Sequence, residues 1–286
     1  MYPACNIFVF VRLVIRNIFF KYSIVFLLPL LSYFSIKAKH QVSYETSNIF
    51  ITCSRMLCMG CDVSKTILFK SYITIYYYSE NIQLRITDAG NIAIYREYTS
   101  EGDNIKTASY SFKSKGENKK IYDELCKIHN DLSYNQKRSY IVAPLWGRCS
   151  AIDFREIDVV SNKDFDSEHP AGKSLKDVVR FVSISPKQFI DSGYKATFDW
   201  KKNEPGFFAK DPMIPSMFQS ETGCYFPING LLSDIGKDEM QMLPVNTHGI
   251  LFFDKQPTAE KEHSLTVTIY TREGKKFVRN ITKVFK

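Results

Sequence analysis

Hydrophobic and polar positions change their period along the chain, and those changes divide it. Residues 23–36, SIVFLLPLLSYFSI, form an apolar run of 14. From residue 66 the period becomes two. Ile82, Leu84 and Ile86 alternate with Gln83, Arg85 and Thr87, and successive side chains of a strand point to opposite faces, so one face is predicted to be buried. Residues 67–78 are rich in β-branched and aromatic types, and residues 92–98 and 105–112 continue the pattern after a turn at Asp88-Ala89-Gly90-Asn91. Tyr76, Tyr77 and Tyr78 then read as rings packed alternately on the two faces of one strand. One helical stretch follows from Glu117 to about Asn130, with Ile121, Leu125, Ile128 and Leu132 spaced to share a face. With a strand at 139–143, residues 66–145 are expected to form an N-terminal domain, an antiparallel meander with one packed helix.

Pro144-Leu145-Trp146-Gly147 punctuates the chain, and a second domain, 146–286, is placed after it. Strands are expected at 152–160, 178–185, 194–200, 249–254, 265–271 and 277–285. Leu265, Val267 and Ile269 face one way there, and Thr266, Thr268 and Tyr270 the other. Residues 201–247 carry five of the chain's eleven prolines and are expected to be irregular, with two short helical turns, one of them at 237–243. The fold class predicted is mainly β: the N-terminal α+β meander, then an immunoglobulin-like β-sandwich. The Cys…Trp…Cys spacing of true immunoglobulin domains is absent, so that likeness concerns architecture.

Charge sharpens the reading of the N-terminus. The formal net charge is +8, yet the first 38 residues hold Arg12, Arg16, Lys21 and Lys37 and no acid. The remaining 248 residues carry 34 basic and 30 acidic side chains, without the basic stripe that tracks nucleic acid. Basic residues ahead of the apolar run and Ile36-Lys37-Ala38 after it are the parts of a signal peptide, expected at 1–38. The run is shorter than the roughly 20 residues of a membrane span. Export to the periplasm or cell surface follows, and residues 39–65 read as an irregular linker. Six cysteines lie beyond the leader (Cys53, Cys58, Cys61, Cys126, Cys149 and Cys224), and the sequence does not choose among their pairings. Cys53-x4-Cys58-x2-Cys61 lacks the second ligand pair of a zinc site. Cys61, after Leu57-Cys58-Met59-Gly60, is the candidate for lipid attachment and so for an N-terminal membrane anchor.

Motifs for chemistry fail on inspection. Gly172-Lys173-Ser174 resembles the end of a phosphate loop, but Ser167 stands where a glycine is needed, and Asp164, Asp166 and Glu168 would repel phosphate. Ser174 is expected instead to cap a helical turn closed by Asp177. As a calcium loop the same stretch has His169 in place of the turn glycine and Leu175 in place of the closing glutamate. No Gly-x-Ser-x-Gly elbow or His-Glu-x-x-His helix occurs, and the five histidines are scattered. No catalytic residue, metal or cofactor is therefore assigned. The binding candidates are Trp200, Phe207 and Phe208, rings set among polar turn residues as in loops that stack on sugars or anchor proteins. The competing reading is that these rings fill the sandwich.

Three stretches, VSNKDFDSEHPAGKSLKDVVRF from Val160, LLSDIGKDEMQMLP from Leu231 and HSLTVTIYTREGKKFV from His263, together resemble a family of uncharacterised exported, often lipid-anchored, cell-envelope proteins of Gram-negative gut bacteria. The resemblance covers residues 150–286 and, more weakly, 81–98. It implies an envelope location and brings no site residues. The function expected is an exported binding or structural module whose partner is a glycan or an envelope protein. The alternative is a carboxylate-dependent hydrolase of envelope or dietary polysaccharide. A third expectation, fibre assembly by strand exchange, would leave an unpaired edge strand near 277–285.

Overall fold

The computed structural model describes residues 69–97, 106–135, 147–218 and 222–286. The expected leader, the linker with Cys61 and the strand at 139–143 lie outside the described residues. The chain divides into two units between Thr66 and Ile67, and the second, Ile67–Lys286, contains every described residue.

This unit is mainly β, with eleven strands and three short α-helices among the described residues. Its largest sheet has the order β2 (Ile82–Ile86), β3 (Ile92–Arg96), β9 (Thr247–Phe253), β7 (Val179–Ser185), β8 (Phe226–Leu231). A second has β11 (Lys276–Val284), β10 (Glu262–Thr271), β6 (Phe154–Ser161). The third has β4 (Thr107–Ser111), β1 (Ile75–Ser79), β5 (Arg148–Ser150), its β1–β5 pair parallel. β10 behaves as its alternation requires. Leu265, Val267 and Ile269 are buried, while Thr266, Thr268 and Tyr270 are half-exposed. The three buried residues meet Ile157 and Val159 of β6 and Ile92, Ile94, Phe181 and Leu251 of the five-stranded sheet in one core. Gly249 is required there, since a Cβ on it would stand 2.1 Å from the Phe181 ring.

The boundary expected at 145/146 does not separate the strands. β3 pairs with β9, Ile92 opposite Leu251, and β1 pairs with β5, Ile75 opposite Arg148. The expected continuous meander is also divided, because β2 and β3 join one sheet while β1 and β4 join another. Local patterning reports which face of a strand is buried, not which distant strand covers its edge.

The helix α1 (Gly116–Ile128) forms where predicted, with its buried centre turned by one residue: Ile121 and Leu125 of the expected face are half-buried against the core. Tyr122 and Cys126 are buried, whereas Ile128 is 55% and Leu132 50% exposed. Tyr122 donates its hydroxyl to Ile73 O at 2.7 Å, so a ring with a polar tip takes the place expected for aliphatic side chains. α1 packs on the third sheet in a core of Tyr76, Tyr110, Tyr122, Cys126 and Cys149. A short helix, α2 (Lys187–Asp191), follows β7 and buries Phe189 and Ile190. The strand expected at 194–200 is absent. Tyr194 adopts a left-handed backbone, φ 63°, and α3 (Trp200–Asn203) begins after Asp199, which accepts from Lys202 N at 3.1 Å. The helical turn expected at 237–243 is a run of turns.

Candidate functional site

Trp200 and Phe207 do not form the exposed platform expected of them. Trp200 is 5% exposed and Phe207 fully buried, and both pack with Ile214, Met217 and Ile250 in a third core. The indole Nε1–H donates to Thr222 O at 2.8 Å, so even its polar edge is engaged. Phe208 alone remains half-buried, with its ring centroid 5.6 Å from that of Trp200. The competing reading of these rings as core filling is the one observed.

The acidic loop 161–178 is satisfied from within. Phe165 inserts into the main core, Asp164 accepts from Ala171 N at 2.7 Å, and buried His169 lies 2.7 Å from Asp166 and 2.9 Å from Asp177. Burial alone would lower the imidazole pKa, but its hydrogen bonds to Asp166 and Asp177 outweigh that and raise it. Both carboxylates are held below their usual range, their partial desolvation overcome by the His169 hydrogen bond. The expected capping box does not form: Ser174 Oγ donates to Asp158 at 2.6 Å, and Asp177 is committed to His169. Among the described residues no group of three or more His, Cys, Asp or Glu is arranged to hold a metal. Cys126 and Cys149 are buried free thiols.

Among the clefts formed by the described residues, two exceed the third in volume. One, of about 410 Å³, has Arg85, Tyr95, Glu97, Ser216 and Asn246 in its lining. The Arg85 guanidinium lies over the Tyr95 ring, 5.0 Å from its centroid, and donates to Met213 Sδ at 3.3 Å. The other, of about 200 Å³, lies beside the edge strand β8 and α2. Its apolar part is Phe226, Pro227 and Ile228, and its charged part is Lys187, Asp191, Asp238 and Glu239. Proline at 227 removes one N–H from the exposed edge, which blunts indiscriminate strand addition.

The walls of this second cleft are wired together. Ser185, at the end of β7, donates its hydroxyl to Gln241 O at 2.7 Å and accepts from Lys187 N at 3.1 Å. Gln241 Nε2 donates to Asp238 at 3.2 Å. The next residue, Met242, has a left-handed backbone, φ 50°, and donates its N–H to Asp153 at 3.0 Å. Asp153 faces His129, Oδ2 to Nε2 3.5 Å, with side-chain exposures of 5% and 1%. At that distance the contact is long, and the Gln241 side chain, which favours the protonated ring, is the other polar group beside His129, without ideal hydrogen-bond geometry. The hydroxyl of Tyr76, whose ring stacks on His129 at 5.8 Å, is likewise buried without a well-formed hydrogen bond.

Burial sets the chemistry of these groups. It pushes Asp153 up to about 7 against the pull of the Met242 N–H. It pulls His129 down to about 4, aided by the Arg272 charge. Asp131 is pushed up to about 6 by burial although it accepts from Tyr72 N, Ile73 N and the Tyr194 hydroxyl. Desolvation dominates in all three because it penalises the charged form of either sign.

No family model, curated protein or solved structure matches the chain. The second cleft went unseen in the sequence because its parts lie in three separate segments. Its only local signal was the density of acids in Asp234-Ile235-Gly236-Lys237-Asp238-Glu239.

Proposed function

We propose that the protein is an exported cell-envelope binding module, an immunoglobulin-like scaffold that presents the cleft beside β8 to a glycan or to a segment of an envelope protein. The observation that carries this reading is the composition of the cleft, in which the apolar Phe226–Pro227–Ile228 run adjoins a rim of Asp191, Asp238, Glu239 and Lys187. An apolar contact with a few polar groups around it is what orients a ligand in a recess. The exported location rests on the N-terminal pattern, and anchoring would run through Cys61. None of the described helices is long and apolar enough to cross a membrane.

The test is direct titration of fractionated envelope glycans and envelope proteins against the protein recovered from its own envelope. Phe226→Ala is expected to weaken the bound fraction about tenfold or more, the loss typical of an anchor residue. Equal binding by both forms, or none by either, defeats the reading. Intact mass of the same sample checks export, with residues 39–286, or a lipid-bearing chain from Cys61, as the expected species.

A second reading, a hydrolase, is favoured by the three carboxylates on the same cleft. Glycoside hydrolysis needs two carboxyl groups about 5–10 Å apart and unencumbered. Here Asp191 pairs with Lys187, Glu239 accepts from Gly236 N at 3.1 Å, and Asp238 accepts from Gln241. Binding is therefore the better supported of the two.

A further inference from the structure

The cleft has a direct connection to a buried acid–imidazole pair, and that connection assigns it a regulation. We propose that Asp153 and His129 form a proton-operated latch that holds the 238–242 segment, and with it one wall of the β8 cleft, in its observed shape. The latch rests on the binding-module reading and supplies the control of that same cleft.

Three features of the geometry support it. First, the pair is nearly sealed from water, so any change in its net charge must be met by rearrangement rather than by solvation. Second, Asp153 is joined by a backbone hydrogen bond to Met242, a bulky residue held at positive φ. That conformation is unfavourable for a side chain with a Cβ and persists only while the surroundings enforce it. Third, the adjacent Gln241 reaches the cleft twice, through Asp238 and through Ser185. Every step from Asp153 to the cleft is thus a hydrogen bond or a peptide bond, and Met242 is the two-state element between them.

The surrounding charges fix the direction. Tyr76 of β1 stacks on His129 and Cys149 of β5 adjoins Asp153, and Cys126 and Tyr122 of α1 and Asp131 lie behind those two. From α2 come Lys187 and Asp191, and from the β10–β11 turn Arg272 and Glu273. Arg272 and Lys187 favour an ionised Asp153, Glu273 opposes it, and desolvation exceeds all three. With Asp153 protonated, the pair is neutral and the latch is closed. As pH rises through its midpoint, the buried carboxylate is relieved by release of the 238–242 segment and admission of water. A group whose folded pKa is raised contributes stability that is full below its unfolded value and lost as pH rises through the folded one. The latch therefore opens on the alkaline side.

Hydrogen exchange of the full chain, followed by peptide between pH 5 and 8.5 and corrected for intrinsic rates, tests this without any ligand. The peptide spanning 238–245 is expected to open about tenfold more per pH unit as pH rises towards the midpoint, where opening releases one proton, and to level off above it, where both states are ionised. The β10 peptide 263–271 is expected to stay flat. Asp153→Asn, which imitates the neutral acid, abolishes the slope at 238–245. Should that variant not fold, the carbon-bound ring protons of His129 in the unaltered protein report instead, with an inflection at the pH where the opening of 238–245 levels off. A flat 238–245 peptide, a slope that survives Asp153→Asn, or a His129 signal without that inflection overturns the latch. Such a failure leaves ligand binding untouched, whereas failure of the binding titration leaves the exchange result standing.

Discussion

At the scale of single residues, the acidic loop shows how a stretch that resembles a ligand site becomes a structural clasp. His169 between Asp166 and Asp177 supplies one charged donor to two acceptors, so the carboxylates have no need of an ion. Its pH dependence has two limits. The histidine's contribution is full below the ordinary imidazole value and fades as pH rises through its raised folded value. The aspartates' contributions are full above the ordinary carboxylate value and fade as pH falls through their depressed folded values. His169→Asn is therefore expected to lower stability by about 1–3 kcal/mol, the range for lost charge-assisted hydrogen bonds. In urea melts the deficit should be largest near pH 5–6 and shrink towards both acid and alkaline pH. A deficit that stays constant across that range would mean packing, not the clasp, is what the histidine supplies. The sequence offered Asp164, Asp166 and Glu168 as alternating acids, but nothing in it disclosed that His169 would be buried among them. That partner comes from the fold.

At the scale of elements, periodicity was a good guide to existence and a poor one to orientation. β10 could be read residue by residue because Leu265, Val267 and Ile269 alternate with polar types in a strand of ten. β5 has three residues and β8 contains both Pro227 and Gly230, so neither carries a strand signal of its own. For α1 the 3.6 period located the helix, yet ranking Ile and Leu above Tyr, Cys and His set the stripe one residue off, so that Ile121 and Leu125 flank the core while Ile128 and Leu132 miss it. Tyr122 wins that place because β1 offers its ring a pocket and the chain just before β1 offers its hydroxyl a carbonyl, at Ile73. Two substitutions separate the faces. Tyr122→Ala is expected to cost about 3–5 kcal/mol, as for other large rings removed from a core. Leu132→Lys, on the stripe that looked apolar, should fall within about 0.5 kcal/mol of the parent. Thermal unfolding of both variants decides between the stripes, and the reverse order would restore the expected face. Gly249→Ala tests the close approach of β9 to β7 in the same way. Its methyl would meet the Phe181 ring, and a loss of about 1–3 kcal/mol is expected from the forced displacement.

At the scale of the whole molecule, the mainly β class was legible, but the division into two successive domains was not. The reason is physical. Alternation is written into each strand, whereas the identity of its neighbour depends on loop closure over long separations. Ile92 lies opposite Leu251 across some of the longest pairings in the chain. The consequence is a prediction about autonomy. A chain of residues 146–286 keeps β6, β7, β8, β9, β10 and β11, which a purely local reading takes as a complete sandwich. It loses β2 and β3, and so exposes the edge of β9 and removes Ile82, Ile92 and Ile94 from the main core. It also loses the carbonyl of Ile82 that Arg279 of β11 reaches at 2.6 Å, and the carbonyl of Gly90 to which Lys283 donates. An uncovered central strand is an aggregation site as well as a gap. The fragment is expected to show no cooperative thermal transition and no near-ultraviolet signature of fixed rings, whereas residues 67–286 show both. Co-expression of 67–145 with 146–286 is expected to recover much of that signal, because the missing strands dock by edge pairing rather than by covalent continuity. If 146–286 alone melts as cooperatively as the longer chain, the five-stranded sheet does not depend on β2 and β3, and the boundary read from Pro144 and Gly147 is the true one.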